Sequence, residues 1–342
     1  MYGNSSGLEK GGNIMNKNKR IYMIILLIIL IALIIIAGLY IDKINNNENN
    51  PTIETEANEY SNLNINKDEL NIFYLNVGQG DSTLITINGY TMLIDSGNDS
   101  DGYYISQFLK AQNIHKIDYF IVTHFDEDHM GGAYKILEEL EIGILCTPND
   151  FSENNTYEKF LRAVEDNNIN IDNSLVASKE ITYSLGDASW KVLNINGNNS
   201  NDSSIVVELN YENTKYLFMG DATTAVEDNV EWDEVDVLKV GHHGSNSSTS
   251  ERFLEATKPK YAVISVGADN SYKLPKKDVI YRLIKNNIIV YRADEKGTIW
   301  LKSDGEEIYF DFLEYNMDGK GRKQANLLKR KYCVLSFYKC TT

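Results

Sequence analysis

The chain has 342 residues, enough for one large domain or two small ones with a substantial buried core. Its apolar and charged fractions, 42% and 24%, exclude disorder along the whole length. The net charge of −16 repels nucleic acid and anionic lipid at long range, so an anionic substrate needs local cations or metal. The three cysteines, Cys146, Cys333 and Cys340, exclude a disulfide framework and a thiolate metal knuckle, although the last two could pair.

The first predicted element is a transmembrane helix at residues 21–40. This run carries no charge, and as a helix it reaches about 30 Å, the thickness of the hydrocarbon core of a bilayer. A buried soluble helix is the weaker alternative because the run has no polar face. Three cations precede the run, whereas the two charges just after it cancel, so residues 1–20 are predicted to be cytoplasmic and the rest extracytoplasmic. These charges are Lys17, Lys19 and Arg20 before the run and Asp42 and Lys43 after it.

Three further segments lie outside the predicted folded domain. Residues 1–14 resemble a translated ribosome-binding region, so Met15 is predicted to be the true start. Residues 41–68 are rich in Asn, Glu and Thr and are predicted to be a flexible linker. The tail at 313–342 is basic, and its role as a surface helix, a membrane-facing patch or a disordered end stays open.

Residues 69–312 alternate short β-branched and aromatic runs with helical periodicity. Helices are predicted at 103–114, 133–142, 252–257 and 277–287. The interleaved strands predict a layered α/β domain built on two sheets. The predicted strands are 71–77, 82–87, 90–95, 116–124, 181–185, 189–195, 203–211, 214–221, 233–243, 261–267, 288–293, 297–303 and 307–312.

Two clusters of histidine follow predicted strands. The first contains His124, Asp126, Asp128 and His129 within six residues, and these residue types suit zinc, manganese or iron. A polar surface loop is the alternative interpretation, but it does not account for the second cluster.

The second cluster is His242 and His243, directly after another apolar strand. Between the two clusters, Asp221 ends an apolar strand and could supply the carboxylate that bridges two ions. Adjacent side chains in extended structure point to opposite faces, so His242 and His243 cannot easily serve one ion together. The remaining histidine, His115, is predicted to be a plain surface residue.

Several segments occur in an order that resembles the metallo-β-lactamase superfamily, and more narrowly the hydrolase domain at the C-terminal end of ComEC competence proteins. The similarity covers about residues 69–312 and implies an αββα sandwich with a dinuclear metal site at the edge of its two sheets. The segments are LNVGQGDSTLI at 75–85, LIDSG at 93–97, THFDEDHMGG at 123–132, SSIVVEL at 203–209, FMGD at 218–221, VLKVGHHGS at 237–245 and ISVGADNSY at 264–272.

The resemblance implies two divalent metal ions, zinc or alternatively manganese, and a role for each site residue. Asp95 is predicted to hydrogen-bond the ligand loop. Asp128 and His242 are the predicted catalytic residues, with His242 facing the substrate as hydrogen-bond donor or acid. The implied metal ligands are His124 and Asp126 at a first position, Asp128, His129 and one of His242 or His243 at a second position, and Asp221 between the two. Of the two late histidines, His243, beside the glycine, is the predicted ligand.

The sequence departs from the family pattern at three places. Asp126 stands where the commonest pattern has a second histidine. The histidine expected before the SSIVVEL strand is absent, with Asn201 the nearest candidate to act there and Asp202 the next. Leu274-Pro275 replaces His-Pro. The first position therefore has mostly oxygen donors and lacks one imidazole ligand.

Together these features predict a membrane-anchored, extracytoplasmic, metal-dependent phosphodiesterase or nuclease that acts on DNA or a cell-wall phosphodiester polymer. Two metal ions would lower the pKa of a shared water. One alternative is the hydrolysis of an amide or ester in a small molecule, and another is a non-catalytic surface binding protein with a degraded metal site. The membrane is the predicted partner through one helix, and no obligate protein partner is evident. A single span does not imply DNA transport.

Overall fold

The computed structural model describes residues 25–31, 33–35, 63–169, 171, 181–194 and 197–313. Residues 25–31 and 33–35 are helical. Across the described residues, no helix is long and apolar enough to cross a membrane. Half of the predicted transmembrane helix, most of the predicted linker and all but the first residue of the basic tail lie outside these ranges, and all three stay predictions.

Strands in the described residues form two seven-stranded sheets. In chain order the strands are β1 (Leu70–Tyr74), β2 (Thr83–Ile87), β3 (Tyr90–Ile94), β4 (Lys116–Ile121), β5 (Glu141–Cys146), β6 (Tyr183–Leu185), β7 (Ala188–Asn194), β8 (Val206–Tyr211), β9 (Thr214–Phe218), β10 (Val237–Lys239), β11 (Tyr261–Ile264), β12 (Ile289–Arg292), β13 (Thr298–Ser303) and β14 (Ile308–Leu313). The first sheet has the order β14-β13-β1-β2-β3-β4-β5, and the second has the order β12-β11-β10-β9-β8-β7-β6.

Helices cover the outer face of each sheet. They are α1 (Asp101–Ala111), α2 (Glu127–Met130), α3 (Ala133–Glu139), α4 (Asn155–Asp166), α5 (Thr224–Glu227), α6 (Glu251–Thr257), α7 (Lys277–Lys285) and α8 (Ala293–Lys296).

Three apolar layers hold the sheets and helices together. Ile72, Trp190 and Phe218 belong to a core that the two sheets bury between them. On the outer face of the first sheet, Phe73 packs with side chains from α1, α3 and α4. On the outer face of the second sheet, Leu238 packs with side chains from α6 and α7. Successive strand residues such as Ile72 and Phe73 face opposite layers, as the two-residue period of a strand requires. The order of layers is helix, sheet, sheet, helix, as the resemblance implied.

Two of the differences from the sequence prediction lie between α3 and the end of α4. The predicted helix at 133–142 ends at Glu139, and Glu141–Cys146 instead forms β5, which pairs in parallel with β4. Helix α4 was not predicted, although it has a cap signal in Asn154, whose side chain accepts a hydrogen bond from the Tyr157 amide at 2.7 Å.

Parallel pairing places the chemistry-bearing loops together. Strand β4 is parallel to β3, and β9, β10 and β11 are parallel to one another. Because the carboxyl ends of parallel strands meet at the same edge, the loops after β9, β10 and β11 leave one edge of the second sheet side by side. The loops after β3 and β4 leave the first sheet in the same way, and the two groups of loops meet in the cluster described next.

Candidate metal centre

His124 follows β4 and is held by its neighbours. The Thr123 amide donates to Asp95 Oδ1 at 2.7 Å, and Thr123 Oγ1 donates to Asp95 Oδ2 at 2.8 Å. His124 Nδ1 lies 3.1 Å from the same Thr123 hydroxyl. Since this hydroxyl gives its one hydrogen to Asp95, it accepts from His124 Nδ1, and the lone pair of His124 is then on Nε2. This Nε2 is buried and has no hydrogen-bond partner among the described residues.

His129 lies on the single turn of α2 and is fully buried. Its Nδ1 is 2.8 Å from Asp95 Oδ2, so a carboxylate accepts the proton on that nitrogen. Its Nε2 lies 3.2 Å from Asp221 Oδ1 and 3.3 Å from His243 Nε2. Asp95 thus orients the imidazole and leaves Nε2 directed at the cluster.

The second histidine pair sits on a tight left-handed turn rather than on a strand. The predicted strand at 233–243 is reduced to β10, and Gly241–Gly244 forms one 3₁₀ turn. His242 and His243 have φ of 48° and 51°, a region that side chains with a β-carbon avoid. Gly244 has φ of 77°, and a β-carbon there would lie 2.6 Å from Pro275 Cβ, so glycine is required.

His243 points into the cluster from this turn. Its Nδ1 lies 2.9 Å from the Ser265 carbonyl oxygen after β11, which accepts the ring proton. Its Nε2 lies 3.2 Å from Asp128 Oδ2 and 3.7 Å from Asp221 Oδ1. His243 therefore contacts residues from both sheets.

His242 points to the other side of Asp221. Its Nε2 lies 3.6 Å from Asp221 Oδ2, and its Nδ1 lies 2.9 Å from Ser247 Oγ. About a quarter of the His242 side chain is exposed, 27%, whereas His243 is buried. The two adjacent histidines approach different oxygens of one carboxylate. The predicted catalytic role of His242 stays a prediction.

The cluster has the donor types and the spacing of a metal site. Asp128, His129 and His243 offer ligand atoms within 4.8 Å of one another, and so do His124, His129 and Asp221. Ligands on one zinc ion, with bonds of about 2.0–2.2 Å, are about 3–3.5 Å apart, which matches the second position. The first position is looser, since His124 Nε2 lies 3.6 Å from Asp126 Oδ2 and 4.0 Å from Asp221 Oδ2.

Unsatisfied buried atoms also favour a cation here. Among the described residues, the buried side-chain atoms without a hydrogen bond include His124 Nε2 and Asp221 Oδ1. Burying such polar atoms unpaired is costly, so both are suited to ligation.

Residues 75–268 match the family described as the metallo-beta-lactamase superfamily. The chain belongs to the metallo-beta-lactamase superfamily. The predicted likeness to ComEC-type competence proteins is also confirmed by its curated relatives.

Two of these relatives are ComE operon protein 3 and Recombination protein 2. ComE operon protein 3 of Bacillus subtilis (strain 168) is 30% identical over an alignment of 250 residues that covers 66% of this chain and 32% of that protein. Recombination protein 2 of Haemophilus influenzae is 30% identical over an alignment of 232 residues that covers 66% of this chain and 28% of that protein. The chain thus spans about a third or less of the length of these relatives.

Among solved structures, the metallo-beta-lactamase fold protein YhfI from Bacillus subtilis is similar, with a TM-score of 0.46 and 10% identity. The match covers 69% of this chain and 100% of YhfI.

The carboxylates of the cluster favour positive charge on the histidines beside them. Burial by itself would lower the pKa of His129, but the carboxylates of Asp221 and Asp95 outweigh burial and raise it well above its ordinary value. Burial likewise opposes a charge on His243, yet Asp221 and Asp81 raise its pKa to about 10. Burial would raise the pKa of Asp221, but His129 and His243 hold it well below its ordinary value. Metal ions bind in competition with such protons.

A buried ion pair beside the centre was not predicted from the sequence. Lys239 Nζ lies 2.7 Å from Asp81 Oδ2, and both side chains are buried. Asp81 Oδ1 lies 3.5 Å from His243 Nδ1. Burial would raise the pKa of Asp81, but Lys239 and His243 outweigh it and lower the pKa. The sequence feature that could have indicated this pair is a single acidic or basic residue in each of two otherwise uncharged segments, GQGDSTLI and VLKVGHH.

The segment before β8 reaches the first position through a residue that was not predicted. Ser200 Oγ donates to Asp126 Oδ1 at 2.6 Å. Asn201 is half-buried, and its Oδ1 has no hydrogen-bond partner in the described part of the chain. Asp202 is engaged by Asn199, whose Nδ2 donates to Asp202 Oδ2 at 2.7 Å. The predicted role of Asn201 therefore stays a prediction.

Proposed function

We propose that the protein is a metal-dependent hydrolase that cleaves phosphodiester bonds in an anionic polymer, either DNA or a cell-wall phosphodiester. The observation that carries the proposal is the position of Asp221 between two groups of ligands. Its Oδ1 is 3.2 Å from His129 Nε2, and its Oδ2 is 4.0 Å from His124 Nε2. A carboxylate with one oxygen toward each group is suited to bridge two ions.

When bound, two divalent cations would lower the pKa of a shared water and offset the negative charge that develops on a phosphoryl oxygen. The chain supplies the frame for that chemistry. Asp95 and the Ser265 carbonyl fix the rings of His129 and His243 so that both Nε2 atoms face the cluster. Asp128 Oδ2, 3.2 Å from His243 Nε2, adds a carboxylate on the more accessible side.

Two features support a phosphodiester as the substrate. The whole chain has a net charge of −16 and the cluster itself is rich in carboxylates, so the positive charge that would hold a polyanion here would come from the bound metal ions. One relative is named Recombination protein 2, which supports DNA as the polymer in this proposal.

The proposal includes an extracytoplasmic domain anchored by the predicted helix at 21–40. Its support is the uncharged run itself and the excess of cations before it.

A non-catalytic surface binding protein is the second candidate. It is favoured by the loose spacing of the first position, where His124 Nε2 lies 4.0 Å from Asp221 Oδ2. A site that holds its ion weakly could bind a phosphate group without turning it over.

The test uses the full-length protein in detergent, loaded with zinc or manganese. It is assayed on single-stranded DNA, bis-p-nitrophenyl phosphate, a phosphorylcholine ester and a β-lactam. We expect turnover of DNA and of the phosphodiester, and at least a 100-fold loss in His129→Ala, the control that removes a predicted ligand. Turnover of the β-lactam or of another amide alone would replace the proposal. Full metal loading with no turnover of any substrate would favour the binding protein.

A further inference from the structure

The predicted ligands are unevenly divided between the two positions. The second position has three side chains besides Asp221, whereas the first has only His124 and Asp126 among the predicted ligands. Structural and catalytic zinc sites use at least three protein ligands, most of them nitrogen or sulfur donors. The histidine that the family places before the SSIVVEL strand is absent here, so the first position lacks one imidazole ligand.

His242 lies beside the same oxygen of Asp221 as His124. Its Nε2 is 3.6 Å from Asp221 Oδ2, the oxygen that His124 Nε2 approaches at 4.0 Å. Its neighbour His243 is 3.7 Å from the opposite oxygen, Oδ1. The separation of 3.6 Å is close to the distance of about 3–3.5 Å between two ligands of one ion. The two histidines are therefore divided between the two sides of the bridging carboxylate.

The Nδ1 atom of His242 makes the kind of hydrogen bond that a metal-bound histidine makes through its non-ligating nitrogen. Ser247 Oγ donates to Ser245 Oγ at 3.0 Å, so it accepts from His242 Nδ1 at 2.9 Å. This leaves the lone pair of His242 on Nε2, toward Asp221. The three predicted ligand histidines share this arrangement, with Nδ1 held by the Thr123 hydroxyl, the Asp95 carboxylate or the Ser265 carbonyl.

The backbone of the turn places both imidazoles at the cost of strain. His242 has φ and ψ of 48° and 47°, and His243 has φ and ψ of 51° and 25°. Two successive left-handed residues with side chains are rarely found unless the surroundings hold them there. An extended strand would send one of the pair away from the cluster, whereas this turn directs both rings at Asp221.

We propose that His242 is a metal ligand at the first position, where it supplies the imidazole that the segment before β8 lacks. The assignment rests on the proposed dinuclear centre, and it replaces the substrate-facing role predicted from sequence. The first position then has His124, Asp126, His242 and one oxygen of Asp221, two nitrogen and two oxygen donors.

The test is metal binding by the full-length protein with His242 changed to glycine. Glycine adopts a left-handed backbone without strain, so His242→Gly should fold at least as well as the natural chain. Bound metal is measured by elemental analysis, and affinity by titration with Co²⁺ followed through its visible absorption. We expect two binding steps in the natural chain. In His242→Gly we expect the weaker step to fall at least 10-fold in affinity, while the thermal midpoint of the metal-free protein is unchanged or higher.

Matched variants identify which ion is lost. His243→Gly makes the same backbone change one residue later and should weaken the other, tighter step. His242→Gly combined with Asp126→Ala should lose one ion in total, because both ligands serve the same position. The double variant of His242→Gly with His129→Ala should lose both ions, because each change removes a ligand from a different position. His115→Ala, which removes an exposed histidine outside the cluster, should keep two ions.

Each alternative outcome is decisive. If His242→Gly keeps both steps at natural affinity and loses phosphodiester turnover, His242 faces the substrate and the assignment is wrong. If it weakens the tighter step, His242 belongs to the second position and the assignment is also wrong. If no phosphodiester is cleaved by the natural chain, but His242→Gly still loses the weaker step, the proposed function fails while the assignment stands.

Discussion

Single residues in the metal centre differ in how firmly they are held. His129 and His124 are buried and are oriented by the same pair, Asp95 and Thr123. The side chain of Asp126 is 46% exposed, and it is held by a hydroxyl from Ser200. A buried, pre-oriented ligand loses little freedom when metal binds, so the second position is expected to be the tighter one.

The first prediction compares a ligand from each position. His129→Ala should lose more bound metal than Asp126→Ala, because His129 Nε2 is 3.2 Å from Asp221 Oδ1 and 3.3 Å from His243 Nε2. Metal per protein after dialysis against a weak chelator is the measurement. Equal losses in the two variants would show that the ranking of the positions is wrong.

A second prediction concerns a residue that does not ligate. Asp95→Asn should weaken metal binding about 10–100-fold, because an amide cannot accept from Thr123 and His129 as a carboxylate does. Competition with a chromophoric chelator measures the change. Asp99→Asn is the control: Asp99 is on the loop that follows, pairs with Lys135 at 3.1 Å, and should leave the affinity unchanged. An affinity for Asp95→Asn that equals the control would remove Asp95 from the centre.

At the scale of elements, the loops that carry the ligands leave the two sheets at the carboxyl ends of parallel strands. Next to these loops, Asp81, just before β2, forms an ion pair with Lys239, the last residue of β10. A buried ion pair contributes little net stability when intact, but removal of one partner leaves an uncompensated charge. The pair therefore constrains how the two sheets meet at the metal centre.

The third prediction follows from that constraint. Lys239→Met should lower the free energy of unfolding by about 3–5 kcal/mol, since Asp81 stays buried and loses the ammonium that lies 2.7 Å away. Lys285→Met is the matched control: Lys285 pairs with Glu251 at the same 2.7 Å, but on the surface, and should cost about 1 kcal/mol or less. Urea unfolding of the metal-free proteins gives both values, and equal values would contradict the role given to the buried pair.

The pH dependence of the same pair has a defined sign. The pKa of Asp81 is lower in the folded chain than its ordinary value of about 3.9. The stability that the pair contributes is therefore fully present above about pH 4, and it is lost as the pH falls toward the folded pKa.

At the scale of the whole molecule, two properties bear on how the protein would meet an anionic substrate. They are its net negative charge and the compartment in which the domain lies. The net charge of −16 opposes approach to DNA or a wall polymer except at the metal centre, so binding should depend on metal loading more than on salt. The predicted helix at 21–40 would place that centre outside the cytoplasm.

The fourth prediction tests this placement. Protease added to intact protoplasts of an expressing bacterium should digest the domain at 69–312, because the cations before residue 21 favour a cytoplasmic N-terminus. Immunoblotting for the domain measures the loss. A cytoplasmic marker should survive in the same sample, and detergent-lysed cells should lose both proteins. Full protection of the domain in intact cells would overturn the orientation.

The ligand residues of the centre could be predicted from the sequence because they are concentrated in short segments. His124, Asp126, Asp128 and His129 lie within six residues, and His242 and His243 are adjacent. Strand periodicity is equally local, so the sequence predicted two sheets with helices. It missed β5 because the apolar spacing of α3 continues into that strand and was interpreted as helix. It missed α4 because the cap at Asn154 was overlooked.

Only the tertiary structure decided which distant groups meet. Asp81 and Lys239 are 158 positions apart, and no local pattern records that a carboxylate before β2 pairs with an ammonium at the end of β10. The direction of His242 depends on a left-handed turn, whereas the sequence only predicts that neighbouring side chains diverge. The sequence by itself determined the types of donor and their order along the chain. Their division between the two oxygens of Asp221 required the packing of two sheets, because backbone geometry and sheet register, not composition, set where each side chain points.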